Sequence, residues 1–454
     1  MSIDRAHLSR LILTERERFA STHPRSQTLA DRARASLLTG VPMTWMAKWP
    51  GGFPIHFVSA HGAEIEDADG LRYADFCLGD SGAMAGHSPP ATVAAVRRRL
   101  EESGGATTML PNEDGATVGE ELARRFGLPL WQFTLSATDA NRFVLRLCRQ
   151  VTRRPRVLVF SGCYHGSVDE SLIVLGPDGP RARRGNVGPA VDPTTTTAVV
   201  EWNDAAALVR ELERGDIACV LAEPALTNIG IVLPEVGFHA ALREATRRTG
   251  TLLVLDETHT LSMGWGGCTR AWSLEPDVVS VGKAIGGGVP IGAFGLSAEI
   301  AERILAERDA DYVDAGGIGG TLAGNALSLA AARATLSDVL TEAAFARMRE
   351  LCGDYVAGVE EILERHALPW SIVQLGARAE IRFARPAPRS GSASGRAADP
   401  ELDEFLHLFL LNRGVLLTPF HNMSLVSPAT TPEQVSRHLA AFAECCDALA
   451  SRGR

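Results

Sequence analysis

The sequence has no Cys-x-x-Cys pair, no long basic run and no uninterrupted apolar span of membrane length. Its eight cysteines, at 77, 148, 163, 219, 268, 352, 445 and 446, are scattered along the chain. That spacing suggests neither a zinc site nor a disulfide scaffold, so no metal is expected and the thiols read as buried groups in a reducing compartment. The lack of a basic run, with a net charge of −9 and a pI near 5.8, argues against a nucleic-acid partner. Without an apolar span no membrane helix is expected. The first residues (Asp4, Arg5, Arg10, Glu15, Arg16) are charged and lack the apolar core of a secretory signal. Together these absences lead to the expectation of a cytoplasmic globular protein.

What is present exceeds the usual size of one core: 454 residues, 45% hydrophobic and 22% charged, imply two domains. Residues 1 to about 40 read as helix, with Leu8, Leu11, Ile12 and Phe19 on one side. Ile55 to Ser59, Ala63 to Glu66 and Tyr73 to Phe76 read as a small antiparallel sheet around the turn signal Asp69-Gly70. From Trp131 onward, apolar runs alternate with helical patterns. The runs are Gln132–Leu135, Val157–Phe160, Thr197–Val200, Ile217–Ala222, Leu252–Leu255, Val278–Val281 and Ala293–Leu296. This alternation predicts an α/β fold whose large domain is a mainly parallel, seven-stranded, doubly wound sheet, with a smaller α+β domain. The expected division is 1–75 and 331–454 for the small domain and 76–330 for the large one. Pro386 to Pro400 is a low-complexity stretch that reads as a mobile surface loop. An amphipathic helix should run from about Pro432, with Val435, Leu439, Phe442 and Leu449 spaced for packing.

Two of the apolar runs organise the rest. Leu252 to Leu255 ends in Asp256 and Glu257, and Val278 to Val281 delivers Lys283 between Gly282 and the glycines 286 to 288. Ligand sites in open α/β sheets lie beyond the C-terminal ends of the strands. A lysine able to form a Schiff base and a carboxylate able to keep a pyridine nitrogen protonated suit pyridoxal phosphate (PLP) when they share one crevice. A nucleotide P-loop is excluded, because Ala284 follows Gly-Lys where serine or threonine is required.

Asp256-Glu257-Thr258, Ser280-Val-Gly-Lys283 and Gly319-Gly-Thr-Leu-Ala-Gly-Asn325 resemble the class-III PLP-dependent aminotransferases. The similarity is greatest to the branch of glutamate-1-semialdehyde aminomutase and the β-amino-acid and amine transaminases, and it runs from about Gly40 to the C-terminal helix. It implies PLP fold type I, with Lys283 as the Schiff-base lysine and proton-moving base and Asp256 on the pyridine nitrogen. It also implies that Ser136, Ala137 and Thr138, at a strand-to-helix turn, hold the cofactor phosphate, although a Ser-x-Thr-Asp sequence alone is often a simple cap. Tyr164 would stack on the ring, and Thr258 would add a hydroxyl beneath it. His165 either supports Asp256 or is a core histidine. Glu223 either lies near the ring hydroxyl or Asp256, or merely ends its strand. Thr321 would reach the phosphate of a neighbouring subunit, making a homodimer with a shared site.

For the substrate, Trp45, Met46, Trp49 and Met84 suggest an apolar wall, and ordinary core packing explains them nearly as well. Relatives that bind amino-acid carboxylates often have an arginine near Met43–Lys48, where this chain has Lys48 as its sole cation. Arg378 offers a bidentate carboxylate contact, or else pairs with Glu380 or solvent. The expected activity is ping-pong amino transfer from an amine or amino-acid donor to a ketone, aldehyde or keto-acid acceptor, leaning towards amines and bulky ketones. The alternatives are an intramolecular 2,1-aminomutase and a non-catalytic PLP-binding protein.

Overall fold

A computed structural model describes residues 3–306 and 317–451. The chain divides into two compact units. The larger is Pro89–Phe345 with Pro388–Arg396, and the smaller is Met1–Ser88, Ala346–Ala387 and Ala397–Arg454.

The larger unit is built on seven strands: β1 (Leu130–Thr134), β2 (Arg156–Phe160), β3 (Thr197–Val200), β4 (Ile217–Ala222), β5 (Leu252–Asp256), β6 (Val278–Gly282) and β7 (Gly292–Leu296). Their order across the sheet is β1-β7-β6-β5-β4-β2-β3. β7 runs antiparallel to both of its neighbours, and the other ladders are parallel. Every residue of β4, β5, β6 and β7 is buried. A parallel sheet covered on both faces requires continuous apolar runs in place of alternation, which is why the runs were visible in the sequence. The C-terminal ends of β1, β2, β4, β5 and β6 share one edge, and each delivers a residue of the site.

The smaller unit holds a four-stranded sheet, in which Phe57–His61, Glu64–Asp67 and Arg72–Asp75 are joined by Val415–Leu416. Its second sheet is formed by Ser371–Leu375, Arg378–Arg382 and Met423–Leu425. The helix Pro432–Ala450 buries Val435, Phe442 and Leu449 as its spacing required but leaves Leu439 half-buried, and it has a capping box between Thr431 and Gln434.

Four expectations need correction. The N-terminal helix is two, Arg5–Thr22 and Pro24–Ala33, because Pro24 has no N–H to give and fits the first helical position instead. The small unit extends to Ser88, since Phe76 exchanges main-chain hydrogen bonds with Leu416 and Leu425. The large unit extends to Phe345, where the carbonyls of Leu336 and Leu340 accept from buried Arg125 at 2.6 and 2.9 Å. Finally, Gly391–Arg396 is a short helix packed into the large unit. Ser392 hydrogen-bonds Glu201 and Ser394 hydrogen-bonds the Ile229 carbonyl, so this glycine–serine stretch is fastened rather than loose.

Candidate active site

Asp256 is the last residue of β5 and pairs in register with Ser280 of β6; Lys283 follows three residues later. The carboxylate and the lysine thus leave adjacent strands at the same edge of the sheet. Asp256 is almost fully buried at 4% exposure. Its Oδ2 accepts from Asn141 Nδ2 at 2.8 Å and from His165 Nδ1 at 3.0 Å, and its Oδ1 accepts from the Thr258 N–H at 3.0 Å. Burial alone raises a carboxyl pKa, but His165, Thr258 and Asn141 outweigh it and hold Asp256 down at about 2. An ionised carboxylate with one of its roughly four acceptor positions still open suits a protonated heterocyclic nitrogen.

His165 therefore supports Asp256. Burial works against its charged form, yet Cys163 and Asp256 keep its pKa well above the usual histidine value. Glu223, at the end of β4, accepts from the Tyr164 N–H at 3.3 Å and from the Thr227 hydroxyl, and burial raises its pKa. It thus fixes the loop that carries Tyr164 and His165. The Tyr164 side chain is 39% exposed, with the Arg183 guanidinium 6.0 Å from its ring.

Helix α1 (Ala137–Thr152) begins beside this edge. Ser136 caps it, accepting from Asp139 N–H at 3.1 Å, so the hydroxyl of Ser136 is already engaged. The first turn, with Ala137 and Thr138, presents main-chain N–H groups that suit a phosphate. Close approach needs glycine: a Cβ on Gly282 would stand 3.0 Å from that of Ala137, and one on Gly292 would stand 2.4 Å from the Ser136 carbonyl. A Cβ on Gly166 would overlap the Thr138 hydroxyl, which accepts from the Ser167 N–H at 3.3 Å. Thr258 Oγ1 is buried and has no hydrogen-bond partner among the described residues, so it can serve a bound group. Lys283 sits in the left-handed region at φ 50°, and its Nζ lies 2.6 Å from His259 Nε2. This donor set fits PLP.

Thr321 is exposed on the large unit. The substrate candidates belong to the small unit. Trp45 is 42% exposed and packs edge-on against Phe420 at 6.1 Å, with Lys48 Nζ 5.3 Å above the same ring. Met46 is half-buried. Trp49 packs on the core of Phe19, Phe53 and Tyr73, and Met84 is fully buried, so core packing describes both. Arg378 is fully buried 3.8 Å from Glu380, which in turn contacts His421 at 3.1 Å. Pairing with Glu380 is the reading that its surroundings favour.

Several supporting residues carried no role in the sequence. Asn141 links Asp256 to Ser280, whose hydroxyl donates to Asn141 Oδ1 at 2.6 Å. Glu257 is buried and accepts from the hydroxyls of Thr260 and Thr269 and from the N–H groups of Cys268 and Thr269, tying down the loop after β5. One signal was available in composition: Lys48 and Lys283 are the chain's two lysines, every other basic side chain being arginine or histidine. Among the described residues no cluster of histidine, cysteine or acidic side chains suits a metal, and no helix is long and apolar enough to cross a membrane.

The family model described as "Aminotransferase class-III" matches residues 45–446. A curated glutamate-1-semialdehyde 2,1-aminomutase from Neisseria meningitidis is 31% identical over 94% of this chain and all of its own. Among solved structures, a lysine-to-alanine variant of a glutamate-1-semialdehyde-aminomutase from Pseudomonas aeruginosa PAO1, in complex with PMP, is 48% identical. It superposes with a TM-score of 0.96, covering 99% of this chain and 100% of that one. An omega-transaminase from Sphaerobacter thermophilus is 29% identical with a TM-score of 0.85, covering 94% of this chain and 98% of its own.

Proposed function

The chain belongs to the class-III aminotransferases, PLP-dependent enzymes of fold type I, and from that premise we propose that it moves an amino group between two separate molecules. The donor is an amine or amino acid and the acceptor a ketone, aldehyde or keto acid, taken in turn. The observation that carries this reading is the placement of Asp256 and Lys283 at the ends of adjacent strands, with Asp256 held ionised. When bound, the cofactor supplies an electron sink for the carbon that gains or loses the amino group. Asp256 keeps the positive charge on the ring nitrogen, Asn141 and His165 keep Asp256 in place, and the Ala137–Thr138 turn anchors the phosphate. Tyr164 would stack on the ring and Thr258 would offer its unpartnered hydroxyl to the bound group. Lys283 Nζ would hold the cofactor, and its amine would serve as the base that moves a proton at the substrate carbon.

The names of the relatives favour a second reading, an aminomutase that shifts the amino group within one molecule. The sequence weighs against it: neither Met43–Lys48 nor Thr418–Met423 contains an arginine for a substrate carboxylate, and an unpaired carboxylate in an apolar pocket is costly. Nitrogen-15-labelled donors offered with unlabelled carbonyl acceptors decide between them. Label in the acceptor-derived amine supports transfer; label retained only in rearranged donor supports the mutase.

The active form is a homodimer in which Thr321 completes the site of the other subunit. Its support is the exposure of Thr321 next to Leu322, which is 50% exposed, together with Met109 and Leu110 at 82% and 73% on the same unit. Eight buried free thiols agree with a cytoplasmic location.

A further inference from the structure

A short hairpin, Ile173–Gly176 and Gly179–Ala182, packs on the large sheet and leads directly into an arginine. The Leu175 N–H donates to the Ser161 hydroxyl at 3.2 Å, just past the end of β2, and Ile173 is buried. The Arg183 N–H donates to the Leu172 carbonyl at 2.8 Å, which fixes where the arginine side chain starts. Arg183 is half-buried. Its Nη1 donates to the Cys163 carbonyl at 3.3 Å, and its guanidinium carbon lies 6.0 Å from the centre of the Tyr164 ring, the outer limit of a cation–π contact. These contacts leave most of the guanidinium N–H donors without a protein acceptor, and among the described residues Arg183 forms no ion pair. The nearby sequence adds charge of the same sign. Residues 171–191 hold Arg181, Arg183 and Arg184 against one acid, Asp178, in a chain of net charge −9. A partly desolvated cation without a counter-ion attracts an anion.

We propose that Arg183 receives a carboxylate of the substrate, and so selects donors or acceptors that carry one. This rests on the reading of Tyr164 and Asp256 as cofactor contacts, and it names the substrate class of that same site. His165 Nδ1 donates to Asp256, Tyr164 precedes His165 in the chain, and Arg183 stands beyond the Tyr164 ring. The guanidinium is thus at the outer end of this row, with the tyrosine between it and the buried carboxylate. An anion held there belongs to the far end of a substrate, several bonds from the carbon that bears the amino group. The planar fork of arginine matches a carboxylate through two parallel hydrogen bonds. Arg181 and Arg184, both exposed, add a longer-range attraction that salt screens. The two stretches without an arginine, Met43–Lys48 and Thr418–Met423, belong to the smaller unit, whereas Arg183 is carried by the larger one. A carboxylate at Arg183 suits transfer and rearrangement alike, and nitrogen labelling separates those two.

The test uses the full-length holoenzyme as wild type, Arg183→Gln and Arg183→Lys, with two matched pairs of probes. Pentanoate and its neutral isostere pentanamide are compared for binding by ligand-observed NMR. 5-Aminopentanoate and pentylamine, which differ in the carboxylate, are compared as donors by following the cofactor absorbance. Wild type should bind pentanoate more tightly than pentanamide, and added salt should shrink the difference. Arg183→Gln should weaken pentanoate and raise KM for 5-aminopentanoate about 10- to 100-fold, the scale of a hydrogen bond to a charged group. Its kcat, its binding of pentanamide and its KM for pentylamine should stay at the wild-type values. Arg183→Lys, which keeps the charge and loses the fork, should recover part of the preference. The binding pair decides even where neither amine is turned over. Equal binding of pentanoate and pentanamide by wild type would overturn the proposal. So would an Arg183→Gln variant that loses both members of a pair alike, which marks lost support of the Tyr164 ring. Pentanoate bound through Arg183 in a holoenzyme whose cofactor no amine or amino-acid donor converts would instead overturn the functional reading beneath it.

Discussion

A buried carboxylate is useful to this chemistry only while it is charged, and Asp256 owes its charge to three donors. Burial raises its pKa, while His165, Thr258 and Asn141 bring it down to about 2, below the ordinary 3.8. Because the native value is depressed, its contribution to stability is present above the unfolded value and is lost as pH falls through about 2. Asp256→Asn keeps the shape and removes the charge. We expect kcat to fall about 100- to 1,000-fold, the scale of losing one preorganised electrostatic contact, and the melting transition to fall as well, because the charge that His165 stabilises is lost; stopped-flow half-reactions and calorimetry check both. The role of Asp256 was readable from its place after an apolar run. Those of Asn141 and Ser280 were not, since their partners lie 115 and 139 residues away in sequence. A motif shows what can be presented at a strand end, whereas the hydrogen bond that orients it depends on the fold.

At the scale of elements, all seven strands of the large sheet were legible: six because strands buried on both faces leave apolar runs, and the partly exposed edge strand β1 from its place in the alternation of strand and helix. The hairpin Ile173–Gly176 and Gly179–Ala182 was not, since its second strand is largely exposed and carries no apolar run, although the first holds Ile173, Val174 and Leu175. The helix Gly391–Arg396 was misread as loose because its composition favours disorder; hydrogen bonds to Glu201 and Ile229 hold it in place. A Cβ on Gly391 would stand 1.8 Å from the Ser161 carbonyl. Gly391→Ala should therefore dislodge this segment at a cost of about 1–3 kcal/mol. Limited proteolysis should find residues 386–400 resistant in the wild type and cut in the variant, and equal resistance in both would show that the close approach is unimportant.

At the scale of the molecule, the proposed dimer makes a prediction that no single subunit can satisfy. If Thr321 serves the partner's site, a heterodimer of Lys283→Ala and Thr321→Arg chains keeps one intact site. Mixing two inactive homodimers under exchange conditions should then restore up to about half of the activity per heterodimer; no recovery would place Thr321 with its own lysine. The central claim remains that Lys283, opposite Asp256, is the residue that holds PLP. Borohydride reduction of the yellow holoenzyme followed by peptide mass mapping tests it most directly, in a chain that offers two lysines. The account predicts the cofactor's mass on Lys283 and none on Lys48; an adduct on Lys48, or no lysine adduct, would contradict it.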